Sequence, residues 1–417
     1  MSLPAINKAR FDFKPDPENN EIIYGLKPIS GIGAQQANAI VEHQPYSSMW
    51  DFYEKMQTFK SESQENKFGD SAMITLIKAG CFDELENKPR EEIMADFIRK
   101  ISKPVSSLRL TDIPTLNDLG LLSKAQQAKE LRYYRYRDYV FKPVNFVKQT
   151  GKSGSTAYYR LDHKFAEPFF YEHFEDKMKE GKDYEWIDGY ICVKKGSFER
   201  VFDTLMSDFK DTVLNNKDNI KVINDRRFND IWTDKCSGSI SRWEMEALSY
   251  YYHEHELAHV DTNEYQIVNF SSLPEEPEMV YNYGHGKKII PRFRLVRIVG
   301  TVIGKDKNHN TVTLLTPNGV VTTRLYKGQF GFYDREIAKI NDDGTKTKVE
   351  SSWFKRGTML MITGYRKEEQ FIAKKYKDSI YKHSIQRIEK LNDDGTLILK
   401  SERTGMEDEE ENFNVQL

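Results

Sequence analysis

Cysteine is scarce in this 417-residue chain. Cys81, Cys192 and Cys236 are too few, too far apart and odd in number for a disulfide framework or a cysteine-based zinc site. Such usage fits a reducing compartment. Long hydrophobic runs are missing too: no stretch spans a bilayer and the residues after Met1 carry no secretory signal pattern, so no membrane partner is expected. No glycine-rich loop ends in Lys-Ser/Thr, which disfavours a nucleotide-binding P-loop. Asp-x-Asp, a spacing that lets one strand help hold two metal ions about 4 Å apart for phosphoryl transfer, occurs nowhere. An excess of one charge is also absent, because 62 Lys and Arg face 64 Asp and Glu, a formal net charge of −2. Any contact with nucleic acid must therefore come from local basic faces.

What is present describes a globular chain of several domains. With 23 Tyr and 24 Phe, aromatics are too plentiful for wholesale disorder, and the length predicts two to four domains. Residues 1–24 form a polar, turn-rich leading segment. Residues 25–130 read as helical, with apolar positions at helical spacing in Ala37, Ile40 and Val41, in Trp50, Phe52 and Tyr53, and in Met73, Ile74, Leu76 and Ile77. Residues 131–243 are a mixed region of unknown role, with a strand pattern over Asp183–Val193 and an amphipathic helix over Phe198–Phe209. Residues 244–291 contain a helix and a Pro/Glu-rich linker. Residues 292–390 change to five β-type runs, Arg292–Gly304, Thr311–Thr316, Val320–Tyr326, Thr358–Tyr365 and Tyr381–Ile388, each bounded by turn residues. Five strands in that length suit a small, partly open OB-type barrel. Residues 391–417 form a tail whose run Glu407–Glu411 reads as solvated acid. The fold class expected is α+β and multidomain.

The strongest local signal is Gly25-Leu26-Lys27-Pro28-Ile29-Ser30-Gly31-Ile32-Gly33, leading into a helix with Ala34, Ala37 and Ala39. This is a helix-hairpin-helix pattern. Two glycines permit backbone angles closed to other residues and bring amides within reach of a phosphate oxygen, while Ile32 points inward. The helix that follows presents its positive end to the same anion. The competing reading is a glycine-containing turn without a ligand. Ile74–Asp83 ends a second helix at Gly80, and Lys88-Pro89-Arg90 opens another. This pair reads either as a second hairpin or as a plain capped helix.

The collinear motifs resemble the alpha subunit of bacterial DNA polymerase III, the C-family replicative polymerases. Leu3-Pro4-x-Ile6-Asn7-Lys8-Ala9 and Ile23–Gly33 resemble the end of its fingers and its tandem hairpin module. Ser48–Phe52 and Leu76–Asp83 resemble stretches that follow in the same order, and Glu244–Leu248 resembles its E-x-E-x-L-G-x-Y. The chain departs at Ser249, where the family has Gly, and at Glu254-His255-Glu256, where it has Gly-His-Pro. Residues 131–243 have no counterpart in the resemblance.

The resemblance implies a DNA-holding C-terminal portion of a replicative polymerase, in the cytoplasm of a bacterial or phage-infected cell. Its partners would be double- and single-stranded DNA, the catalytic polymerase portion and a sliding clamp. The catalytic palm with its Mg²⁺ would lie outside these residues, and the chain would be inactive alone with no cofactor of its own. Gln329-Phe330-Gly331-Phe332 is a poor match to the clamp-binding peptide and fits better as barrel filling. The DNA-contacting candidates are Lys27, Gly31, Ile32 and Gly33 in the hairpin, then Arg132 and Arg135 in the basic-aromatic run 132–137. On the barrel they are Arg292, Arg294, Arg324, Tyr326, Tyr365 and Arg366, where bases would stack on rings and phosphates meet cations.

A rival of a different class is a zinc metalloprotease. His255-Glu256-Leu257-Ala258-His259 matches H-E-x-x-H, which on a helix aligns two imidazoles for Zn²⁺ and a carboxylate for water activation. No third ligand is marked.

Overall fold

The structure is a computed structural model that describes residues 1–58, 68–134, 141–146, 156–164, 166–285, 288–341, 344–377 and 379–404. The chain forms two compact units. One comprises residues 1–95 and 236–417, the other residues 96–235. The sequence pattern set the middle region at 131–243.

The first unit begins with a two-stranded antiparallel ribbon, Lys14–Asp16 with Glu21–Ile23, and continues in helices. These are α1 (Ala34–Glu42), α2 (Met49–Gln57), α3 (Asp70–Lys78) and α4 (Arg90–Ile101), the last crossing the boundary between units. Each buries an apolar stripe: Ala37 and Ile40 from α1, Met49, Phe52 and Met56 from α2, Met73, Leu76 and Ile77 from α3. Phe52 is the hub, edge-on to Tyr46, Phe68 and Phe82 at 4.9–5.4 Å between ring centroids. Ser48 caps α2 by accepting the Asp51 amide at 3.1 Å. Helix α3 stops in a Schellman turn, in which the Cys81 amide donates to the Leu76 carbonyl, the Gly80 amide donates to that of Ile77, and Gly80 sits at φ +75°.

After residue 236 the same unit adds α5 (Ile240–Leu248), whose end docks on the hairpin segment. The Ser30 amide donates to the Ala247 carbonyl at 2.9 Å, and the Tyr24 hydroxyl donates to that of Leu248 at 2.9 Å. Helix α5 terminates at Ser249, left-handed at φ +66°. That conformation explains why a glycine suits this place. Here the serine adopts it, and its hydroxyl accepts from the Arg356 guanidinium at 2.8 Å.

The C-terminal part of this unit is a closed five-stranded barrel. Its strands are β1 (Val296–Asp306), β2 (Thr311–Thr316), β3 (Gly319–Arg324), β4 (Met359–Lys367) and β5 (Gln370–Ala373). β1, β2 and β3 form an antiparallel meander, β3 pairs parallel with β5, β5 antiparallel with β4, and β4 antiparallel with β1, which closes the ring. Helix α6 (Lys327–Asp334) links β3 towards β4 and drives Phe330, Phe332 and Tyr333 into a core of Ile298, Val302, Leu314, Leu360 and Phe371. The outer faces of β1 and β4 are covered as well, by Leu257 and Val260 against Val299, Met359 and Met361.

Two strand expectations need correction. Residues 292–295 do not belong to the first barrel strand. Arg292 and Phe293 end a separate hairpin, Met279–His285 with Lys288–Phe293, and Arg294 lies in the link. The run Tyr381–Ile388 contains a strand, β6 (Ile385–Leu391), but it does not close the barrel. It pairs with residues 359–362 of β4, on the edge opposite β1, and carries β7 (Leu397–Lys400) beside it. The closing strand is β5, only four residues long. The chain reverses tightly into it at Glu368, φ +51°. Gly364 makes the closure possible, because a Cβ there would overlap the Ile372 carbonyl.

The second unit carries a four-stranded antiparallel sheet in the order Phe141–Phe146, Thr156–Leu161, Tyr190–Lys194, Tyr184–Ile187. The strand expected over Asp183–Val193 is in fact a hairpin. Asp188 and Gly189 both have positive φ, the geometry that lets two residues turn twisted strands back on each other. The amphipathic helix is Lys195–Leu205, and its Phe198 stacks on Phe174 at 5.0 Å inside an aromatic core.

Candidate nucleic-acid interface

The Gly31–Gly33 turn faces outward. Leu26, Ile29 and Ile32 are buried beneath it, whereas Ser30, Gly31, Gly33, Ala34 and Gln35 are exposed. Gly31 takes φ +74°, and nothing lies within 4 Å of where its Cβ would be. Gly33 precedes α1 in extended conformation, its amide donating to Gln36 Oε1 at 3.0 Å. Among the described residues the amides of Gly31, Ala34 and Gln35 have no protein acceptor. Those of Ala34 and Gln35 are donors that a helix start leaves open, at the positive end of its dipole, and the Gly31 amide belongs to the turn before the cap. Lys27 is exposed nearby, its ammonium 5.0 Å from the Phe11 ring centroid. Gly25 is needed for a different reason, since a Cβ there would lie 2.6 Å from the Asp12 carbonyl carbon.

The second glycine turn differs. Gly80 is buried, and a Cβ on it would strike the Arg90 guanidinium. Arg90 is itself buried. It grips Asp83 with Nε and Nη2 (3.0 and 2.6 Å to Oδ2) and donates through Nη1 to Glu244 Oε1 at 3.0 Å and to the Lys78 carbonyl at 3.1 Å. This turn is a structural joint, not an open cradle.

Barrel candidates separate into engaged and available groups. Arg366 is engaged: it donates to the carbonyls of Leu273 and Glu368 at 2.8 Å and lies 4.7 Å from the Phe270 ring, its side chain 11% exposed. Arg294 is exposed and pairs with Glu278 at 3.2 Å. Arg324 is exposed at the end of β3 and has no ion-pair partner among the described residues. Tyr326, 47% exposed, follows two residues later, where it caps α6. Arg292 lies over the Tyr376 ring at 4.2 Å, Phe293 packs on Tyr365 at 4.8 Å, and the Lys374 ammonium lies over Tyr326 at 5.0 Å. Burial, aided by Tyr326 and Tyr376, pushes the Tyr365 hydroxyl up to about 12. Sequence reasoning missed Lys374 and Tyr376. Their alternation after β5 was the available signal, hidden once that strand went unrecognised.

Arg132 pairs with Glu172 at 3.2 Å, and Tyr133 packs into the second unit's core. Arg135 lies outside the described residues. Phe330 and Phe332 are buried in the barrel, so Gln329–Phe332 is not displayed as a peptide.

The zinc reading fails on geometry. Residues 255–259 form turns, not a helix. His255 uses both ring nitrogens, Nδ1 accepting the Leu257 amide at 2.9 Å and Nε2 donating to the Leu315 carbonyl at 2.9 Å. Its burial lowers its pKa and burial raises that of Glu256. His259 is exposed and pairs with Glu254. No cluster of His, Cys, Asp or Glu among the described residues is arranged to hold a metal ion. No helix of the described residues is long and apolar enough to cross a membrane.

Residues 1–93 match the family model described as a helix-hairpin-helix motif. Over 404 residues, 97% of the chain, the sequence is 38% identical to a probable DNA polymerase, YorL, of Bacillus subtilis strain 168. It is equally similar, over the same length, to a DNA-directed DNA polymerase of Bacillus phage SPbeta. This chain is a homologue of part of these DNA polymerases. It spans 30% of the length of each. A third polymerase homologue, the DNA polymerase III subunit alpha of Thermus aquaticus, is 33% identical over 91 residues, 21% of the chain and 7% of that subunit. No solved structure matches.

Proposed function

We propose that this chain is the DNA-holding portion of a replicative DNA polymerase, gripping duplex backbone with its hairpin and guiding a single strand along its barrel. The observation that carries the reading is the outward Gly31–Gly33 turn. The amides of Gly31, Ala34 and Gln35, at the turn and the start of α1, have no protein acceptor among the described residues and sit on a buried Leu26–Ile29–Ile32 base. Such amides take a phosphate oxygen without reading sequence. The barrel is read as an OB-fold. Its ring order β1-β2-β3-β5-β4, the helix between β3 and β4, and its basic-aromatic outer face support that assignment. Mg²⁺-dependent nucleotidyl transfer then belongs to another part of the polymerase, with which this chain would act.

The test is an anisotropy titration of the chain with duplex, single-stranded and primed DNA at about 50 and 200 mM salt. Binding should be independent of sequence and fall steeply with salt. Ala34→Glu places a carboxylate at an exposed first-turn position, and Gly33→Val adds bulk on the open side of an extended residue, so neither strains the fold. Each should weaken duplex binding roughly tenfold or more, as loss of a charge-assisted hydrogen bond predicts, with circular dichroism unchanged. Duplex affinity that survives both substitutions would refute the hairpin's role.

A further inference from the structure

We infer that the outer surface at the β3–β5 seam is a stacking site for one unpaired nucleotide, with Tyr326 as the platform and Arg324, Lys374 and Arg292 as its cationic rim. This rests on the barrel reading above and names the residues that reading leaves open.

The register brings these residues together. Arg324 pairs with Ile372 across the parallel seam, so Tyr326, two residues on, stands beside Lys374, and Tyr376 follows. Antiparallel pairing sets Tyr365 of β4 against the same Ile372. Alternation turns this whole set outward while Val321, Thr323, Leu325, Phe371 and Ala373 turn in. The hairpin before β1 adds Arg292 over Tyr376 at 4.2 Å, and the Phe293 amide donates to the Tyr376 hydroxyl at 3.1 Å.

The cluster sets cations against aromatic faces. Lys374 sits between two tyrosine rings, 5.0 Å from Tyr326 and 5.8 Å from Tyr376, and has Arg292 as a like-charged neighbour. Its burial, with Arg292's charge, lowers its pKa. Among the described residues no carboxylate pairs with Lys374 or Arg324. Lys374 and Arg324, neither paired with a carboxylate among the described residues and both set beside aromatic faces, suit an anion attached to a flat apolar ring, which describes a nucleotide. A ring with a cation on one face and nearly half its surface open can stack a base on that open side. Neither a duplex, whose bases are already stacked, nor a free phosphate would use both parts.

Fluorescence anisotropy of the full chain tests this with labelled oligothymidine and with an abasic oligonucleotide of equal length. The wild type should bind oligothymidine more tightly than the abasic strand. Tyr326→Leu should weaken oligothymidine binding roughly 5- to 150-fold, the span for one lost stacked base, and abolish the preference over the abasic strand. Tyr326→Phe should restore it. Arg324→Gln should weaken both strands alike and reduce the salt slope by about 0.7. Duplex affinity and circular dichroism should stay constant throughout. Wild-type binding that Tyr326→Leu leaves unchanged, or no preference for bases, would overturn the stacking site alone. If the wild type binds neither strand, the barrel's single-strand role fails with it.

Discussion

Removing the Arg90 guanidinium should undo the joint that supports the hairpin. Arg90 and Glu244 are 154 residues apart, both buried, and held by a 3.0 Å hydrogen bond. Glu244 is 0% exposed and also accepts the amides of Tyr252 and His253 at 2.9 and 3.0 Å and the His253 ring at 2.7 Å. Arg90→Met keeps the aliphatic stem but leaves a fully buried carboxylate without its cation and Asp83 without its fork. Breaking one side of a buried pair costs about 3–5 kcal/mol. At about 2–4 °C per kcal/mol for a body of this size, the melting temperature should fall by roughly 6–20 °C. Urea unfolding followed by circular dichroism should show the loss as a lower midpoint with an unchanged slope. The double variant Arg90→Met/Glu244→Leu should be less destabilised than the two single changes added together, because the stranded charge is gone. A loss below about 1 kcal/mol in Arg90→Met would refute the claim that this pair joins the helices.

Three further outcomes follow from the same geometry. Hydrogen bonds from the Thr404 amide, the Trp353 indole and Lys400 outweigh burial and bring the Glu350 pKa from 4.5 down to about 2. A depressed folded pKa contributes stability present above the unfolded value and lost as pH falls from about 4.5 to 2. Glu350→Gln should flatten that part of the stability–pH curve, worth about 3 kcal/mol, in acid titrations followed by tryptophan fluorescence. Gly364→Ala should cost more than about 2 kcal/mol, since its methyl overlaps backbone, whereas Gly331→Ala, with open space around its Cβ, should be neutral or stabilising. Elemental analysis of purified protein should give far less than one zinc per chain, unaltered by His259→Ala, and a stoichiometric zinc lost in that variant would reinstate the metal reading.

The Gly-Ile-Gly turn, the amphipathic helices around it and four of the five barrel strands were written in the sequence, because each depends on neighbours a few residues apart. Backbone freedom at glycine, a 3.6-residue stripe and strict alternation are local facts, and they survive folding unchanged. The collinear motifs likewise pointed to a polymerase, and the relatives bear that out. What local pattern left open, long-range packing decided. Gly31 and Gly80 both take positive φ after apolar stretches, yet one faces solvent and the other faces Arg90, a choice made by where α4 and α5 dock. The H-E-x-x-H letters form a turn because Leu257 is needed against the barrel's outer face. Arg366 reads as a free cation until the carbonyl of Leu273, 93 residues away, takes it together with that of nearby Glu368. The four-residue β5 carries too little pattern to announce itself, and only the parallel pairing with β3 and the close approach to Gly364 make it the closing strand. With that closure Lys374 and Tyr376 reach Tyr326. Contacts between residues far apart in sequence have no periodicity to betray them, so they become visible only when the chain has condensed.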